Sequence, residues 1–151
     1  MKVLVLNGPN LHLLGQREPS IYGYETLADI ETLVERVADD LGVTIECRQS
    51  NHEGELVEWI GDARADCDGI VINPAAYTHT SVAIRDAVAA SGLPVVELHI
   101  SNVSARESFR RTSFIAPVCL GMLSGFGVRG YEWAVRALVE HLRRTSKGKT
   151  V

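Results

Sequence analysis

The sequence predicts a doubly wound α/β domain, three layers around a five-stranded parallel sheet, and three observations carry that prediction. Five short apolar or β-branched runs recur along the chain, most of them nearly continuous rather than alternating, as strands covered on both faces require. Between them lie segments whose apolar residues fall at helical spacing. The 151 residues, 46% of them hydrophobic, suffice for one sizeable core and are too few for two ordinary domains.

The expected strands are Lys2–Asn7, Thr44–Gln49, Gly69–Asn73, Pro94–Ser101 and Ala116–Leu123. Leu27, Ile30, Leu33, Val34, Val37 and Leu41 mark one face of a helix that Gly42 can end, and Ala134, Ala137, Leu138, His141 and Leu142 mark another. Glu53–Ala65 and Thr80–Ser91 read as helices, and Ser104 with Glu107 has the spacing of a capping box for a short helix before the fifth strand. Right-handed crossovers between five strands favour the flavodoxin-like order 2-1-3-4-5. Residues 1–144 are expected to form a single domain and 145–151 a solvated tail.

The connection from Asn7 to Glu25 is far longer than the about 2–6 residues usual for a βα loop. Gly15 and Gly23 offer hinges around Arg17 and Tyr22, so residues from about 15 to 24 read as a lid at the carboxyl end of the sheet.

Charge and composition narrow the partners. A net charge of −4 leaves no basic footprint for nucleic acid or an anionic membrane surface, so a small soluble substrate is expected. The three cysteines, Cys47, Cys67 and Cys119, form no CxxC pair, and Val3–Leu6 is too short for a signal-peptide core. Both point to a reducing, cytoplasmic setting. No metal site is expected: His79 and His99 could meet, but no HExxH spacing, cysteine pair or acidic cluster supplies further ligands. Gly125-Phe126-Gly127-Val128-Arg129-Gly130 matches GxGxxG, yet no strand with an acidic residue follows to hold a ribose, so the glycines are read as a tight turn with close backbone packing and no cofactor is expected.

In an open parallel sheet the ligand crevice lies beyond the carboxyl ends of the strands, and those ends are polar here. Strand one runs into Asn7-Gly8-Pro9-Asn10, strand three into Asn73 and on to His79, and strand four carries Glu97, His99 and Ser101 on one face by the two-residue period. A carboxylate beside an imidazole can fix its tautomer for proton transfer. A lone histidine at a strand end is more often simply hydrogen-bonded; the converging asparagines and His79 favour the functional reading. The lysines stand only at Lys2, Lys147 and Lys149, away from the crevice, so carbonyl chemistry would pass through an enolate met by hydrogen-bond donors rather than an imine.

Four separated stretches resemble the type II 3-dehydroquinate dehydratases in order and spacing: Asn7–Gly15 with Arg17-Glu18-Pro19 and Ile21-Tyr22-Gly23; Asn73–Ser81; Glu97–Asn102 with Ala105–Arg110; and Gly125-Phe126-Gly127. The resemblance covers nearly the whole chain. It implies dehydration of 3-dehydroquinate to 3-dehydroshikimate by anti elimination through an enolate-like intermediate. Tyr22 would take the C2 proton as its phenolate, with Arg17 favouring that ionised form. His99, oriented by Glu97, would be the general acid on the departing hydroxyl, and Asn10 would hold a water that donates to the enolate oxygen. Asn73, His79 and Arg110 would hold ring hydroxyls, and the backbone amides of Ile100 and Ser101 the carboxylate. The resemblance further implies trimers grouped into dodecamers, with Asp86 reaching a neighbouring subunit's site. His12 departs from the pattern, since many members carry Asn there. Shikimate-pathway and quinate-breakdown roles share this chemistry and stay open.

A flavodoxin-like binding or signalling module is the competing reading, because one fold hosts many functions. A phosphoacceptor receiver would want an aspartate where Asn73 stands, and a flavin carrier would want hydroxyl residues within Asn7–Gly15, which has none.

Overall fold

The computed structural model describes residues 1–147. Its sheet has five parallel strands, β1 (Lys2–Asn7), β2 (Thr44–Gln49), β3 (Gly69–Asn73), β4 (Val95–His99) and β5 (Gly121–Ser124), in the order β2-β1-β3-β4-β5, as the flavodoxin-like expectation requires. The helices are α1 (Pro19–Tyr22), α2 (Leu27–Leu41), α3 (Glu53–Asp62), α4 (Val82–Ser91) and α5 (Gly130–Lys147).

Alternate residues of the inner strands feed two cores. Val3, Val5, Val71, Val96 and Leu98 pack with Ile30, Val34 and Val37 of α2 and Ala134, Leu138 and Val139 of α5. Leu4, Leu6, Ile70 and Ile72 point the other way, onto Leu56 and Ile60 of α3 and Ile84 and Val88 of α4. Each such side chain contributes about 1.5–3 kcal/mol on full burial. A charge at Val71, enclosed in the middle of β3, would therefore break the fold.

Local chemistry sets the ends. Thr26 and Asp29 form a reciprocal capping box at the start of α2, and Gly42 closes it in the left-handed region at φ 64°. Ser81 accepts the Ile84 amide to start α4.

Three expectations need correction. The fifth strand begins at Gly121 and not Ala116, because Ala116–Val118 is a tight turn. Pro117 has no amide for a ladder, and Ser113 accepts the Ile115 and Ala116 amides instead. The short helix with a Ser104–Glu107 box is absent: 3₁₀ turns occupy Val103–Ala105 and Ser108–Arg110, Asn102 caps the first, and the Glu107 carboxylate goes to Arg110. Lastly, α5 continues through Lys147, so the first residues of the expected tail are its last turn; residues 148–151 lie outside the described residues. Among the described residues no helix is long and apolar enough to cross a membrane.

Candidate active site

A pocket of about 150 Å³ opens at the carboxyl ends of β1, β3 and β4, space enough for one six-membered ring. Of the residues singled out in the sequence, Asn10, Arg17, Tyr22, Asn73, His79, His99, Ile100, Ser101 and Arg110 all line it. Glu97 lies directly behind His99. Asp86 does not join this pocket; it is exposed on α4. His12 is exposed in the turn Leu11–Leu13 and stands outside the lining.

The two-residue period of β4 places Glu97 and His99 side by side. Glu97 is 0% and His99 5% exposed, and His99 Nε2 stands 2.6 Å from Glu97 Oε1. With Nε2 committed to the carboxylate, Nδ1 is the nitrogen left for a ligand. Two hydroxyls complete the enclosure. Thr78 donates to Glu97 Oε1 at 2.7 Å and lies 3.3 Å from His99 Nε2, while Ser113 faces both carboxylate oxygens at 3.0 and 2.9 Å. His79 stacks near His99, ring centroids 6.4 Å apart, with its Nδ1 2.8 Å from the Thr112 carbonyl oxygen.

Tyr22 reaches the pocket from the long connection after β1, the segment expected to act as a lid. The segment contains one helical turn, α1, entered through Glu18 in the left-handed region at φ 41° and left through Gly23 at φ 84°. Gly15, at φ 83°, starts it, and a Cβ there would stand 2.9 Å from the Tyr24 carbonyl oxygen. Arg17 lies over the Tyr22 ring, its Cζ 5.2 Å from the centroid, and pairs with Glu18 at 3.0 Å. The hydroxyl itself is met by a residue the sequence reading did not single out: Arg106 Nη1 donates to Tyr22 Oη at 2.8 Å. The sequence signal for Arg106 is its place within Ala105–Arg110, the stretch that also carries Arg110. Thr78 and Ser113 were likewise missed.

Asn10 turns at φ 68°, its amide fixed by Asn51 Oδ1 at 2.9 Å. Arg110, paired with Glu107, adds a third guanidinium to Arg17 and Arg106 around the opening. Their charge favours an anionic ligand. Lys2, by contrast, sits at the opposite end of β1, bound to Glu46 and Asp66.

A histidine backed by a carboxylate and a tyrosine held by a guanidinium can exchange protons with the same bound molecule, which defines the class: an acid–base enzyme on a flavodoxin-like scaffold. The family model for class II dehydroquinases matches residues 1–139. A 3-dehydroquinate dehydratase of Jannaschia sp. (strain CCS1) is 58% identical over 95% of this chain and 97% of its own. One from Gloeobacter violaceus is 57% identical, covering 97% of this chain and 92% of its own. The crystal structure of a type II dehydroquinase from Butyrivibrio crossotus superposes with a TM-score of 0.90 at 48% identity, covering 91% of this chain and 97% of that one. The chain belongs to the class II dehydroquinase family, a family of dehydratases.

Proposed function

We propose that the chain dehydrates 3-dehydroquinate to 3-dehydroshikimate by anti elimination through an enolate, without metal or imine. The observation that carries this reading is that Tyr22 and His99 line one ring-sized pocket, each held by its own charged partner. The Tyr22 oxygen removes a proton from C2; the Arg106 N–H on that oxygen stabilises negative charge there, and Arg17 adds positive charge above the ring. The enolate oxygen is met by a water held on Asn10, an oxyanion-hole donor worth about 2.7–4 kcal/mol. His99 gives its proton to the departing hydroxyl, and Glu97 stabilises the imidazolium and holds its orientation. Asn73, His79 and Arg110 hold ring hydroxyls, and the backbone amides of Ile100 and Ser101 the carboxylate. With Lys2 paired at the far end of β1, hydrogen-bond donors take the place of an imine.

Trimers grouped into dodecamers would bring Asp86 to a neighbour's pocket. Phe109, Phe114, Leu120, Met122, Phe126 and Trp133 are exposed, and apolar surface of that kind is suited to burial between subunits. The product would serve aromatic biosynthesis or quinate breakdown alike.

The test is to mix purified, metal-stripped protein with 3-dehydroquinate and follow the ultraviolet absorbance of the conjugated enone product. Turnover that survives borohydride treatment in the presence of substrate is expected. Folded protein that forms no product would overturn the reading.

A further inference from the structure

The glycine motif at Gly125–Gly130 is followed directly by Tyr131, whose hydroxyl meets Asn73 behind the pocket. Gly125 and Gly127 turn the chain at φ of +93° and +62°, and Gly130 opens α5 so close to β4 that a Cβ there would stand 2.8 Å from Leu98 Cδ1. That approach sets Tyr131, the next residue, fully buried beneath the carboxyl ends of β1 and β3.

Its hydroxyl joins the two strands. Tyr131 donates to Asn7 Oδ1 at 2.6 Å and accepts from Asn73 Nδ2 at 3.0 Å. A backbone group sets the direction of this chain. The Ala75 amide donates to Asn73 Oδ1 at 3.2 Å, so the Asn73 nitrogen must face the tyrosine, and the single tyrosine proton must go to Asn7. Burial pushes the Tyr131 hydroxyl above the ordinary phenol range, so it stays protonated and the direction does not reverse. The Asn7 Nδ2 is left without a partner among the described residues although Asn7 is buried. An unpaired buried donor is unfavourable, and Asn7 nonetheless presents Oδ1 to the tyrosine as its acceptor. The residue so held, Ala75, is itself in the left-handed region at φ 51°, a conformation that needs outside support.

Asn73 lines the pocket with one amide proton spent on Tyr131. We propose that Tyr131 and Asn7 are positioning residues that hold the Asn73 amide so that the pocket meets an N–H and not a carbonyl, selecting a hydrogen-bond acceptor, a hydroxyl or carboxylate oxygen, at that point of the ligand. Only the identity of the ligand rests on the dehydratase reading.

Tyr131→Phe keeps the packed ring and removes the hydroxyl. The side-chain amide signals of Asn73, followed by heteronuclear NMR, should shift and exchange faster with solvent in that variant. Asn7→Ala, which removes the far acceptor, should loosen the same amide to a smaller degree and serves if Tyr131→Phe does not fold. With 3-dehydroquinate, Tyr131→Phe should raise KM about tenfold with kcat within about twofold, and should add nothing in an Asn73→Ala background, where the tyrosine has no amide to hold. Unchanged Asn73 signals, additive kinetic effects, or a loss confined to kcat and melting temperature would each overturn the proposal. Wild-type protein without turnover would refute the dehydratase reading, and the NMR comparison would still decide whether Tyr131 fixes the amide.

Discussion

Glu97 and His99 sit on a strand buried along its whole length, whereas Arg17 and Tyr22 sit on a segment whose residues are half-buried or exposed. The first pair is held by two hydroxyl donors, the buried Thr78 and the half-buried Ser113, so the fold itself sets the geometry of the proposed acid. The second is held by few contacts, chiefly the hydrogen bond from Arg106 to Tyr22 and the guanidinium stacked on its ring. A group on a rigid strand is in place before substrate arrives, while a group on a lid can move to admit substrate and return to complete the site. Stability and activity should therefore separate on the lid and travel together on the strand.

Tyr22→Phe gives the sharpest break. It removes the proposed base and keeps the ring, so turnover should fall by about 10²–10⁴-fold, with ligand affinity and melting temperature near those of the unmodified chain. Near-normal turnover would end the assignment. His99→Ala should cost about 10²-fold or more in kcat and, unlike the lid substitution, also lower stability by about 1–3 kcal/mol, because Glu97 loses a buried partner. A calorimetric midpoint that does not move would show that β4 is no more coupled to the site than the lid is.

Arg106→Ala and Arg17→Ala compare the two guanidiniums around one tyrosine. Loss of a charge-assisted hydrogen bond of about 1.5–3 kcal/mol corresponds to roughly 10–100-fold in kcat/KM for Arg106. The stacked Arg17 contributes about 0.5–1 kcal/mol at an exposed site, so its loss should cost only several-fold if stacking is all it does. A larger effect at Arg17 than at Arg106 would mean that the lid closes further over substrate, bringing Arg17 onto the hydroxyl.

The same contrast explains what the sequence made legible. β1 and β3 could be bounded because strands buried on both faces read as unbroken apolar runs, and the Glu97–His99 pairing followed from the local period of a strand. β5 could not, since the apolar run from Ala116 begins with a turn around Pro117, and periodicity alone does not tell an apolar turn from an edge strand. Arg106 and Ser113 were missed because their partners lie 84 and 16 positions away in the chain, a distance no local pattern encodes.

Ser113→Ala tests that enclosure at its outermost contact and should have the smallest catalytic effect. The hydroxyl serves Glu97 and also accepts the Ile115 and Ala116 amides, so its removal leaves buried or half-buried groups unpaired on both sides. A loss of about 1–3 kcal/mol is expected, several degrees in melting temperature for a domain of this size. Thr78 and His99 still hold Glu97 Oε1 at 2.7 and 2.6 Å, so the carboxylate should keep its place and kcat should fall only a few-fold. If kcat instead fell as far as in His99→Ala, the orientation of the acid would depend on one hydroxyl and not on the strand, and the distinction between a core-built acid and a lid-borne base would fail at its rigid end.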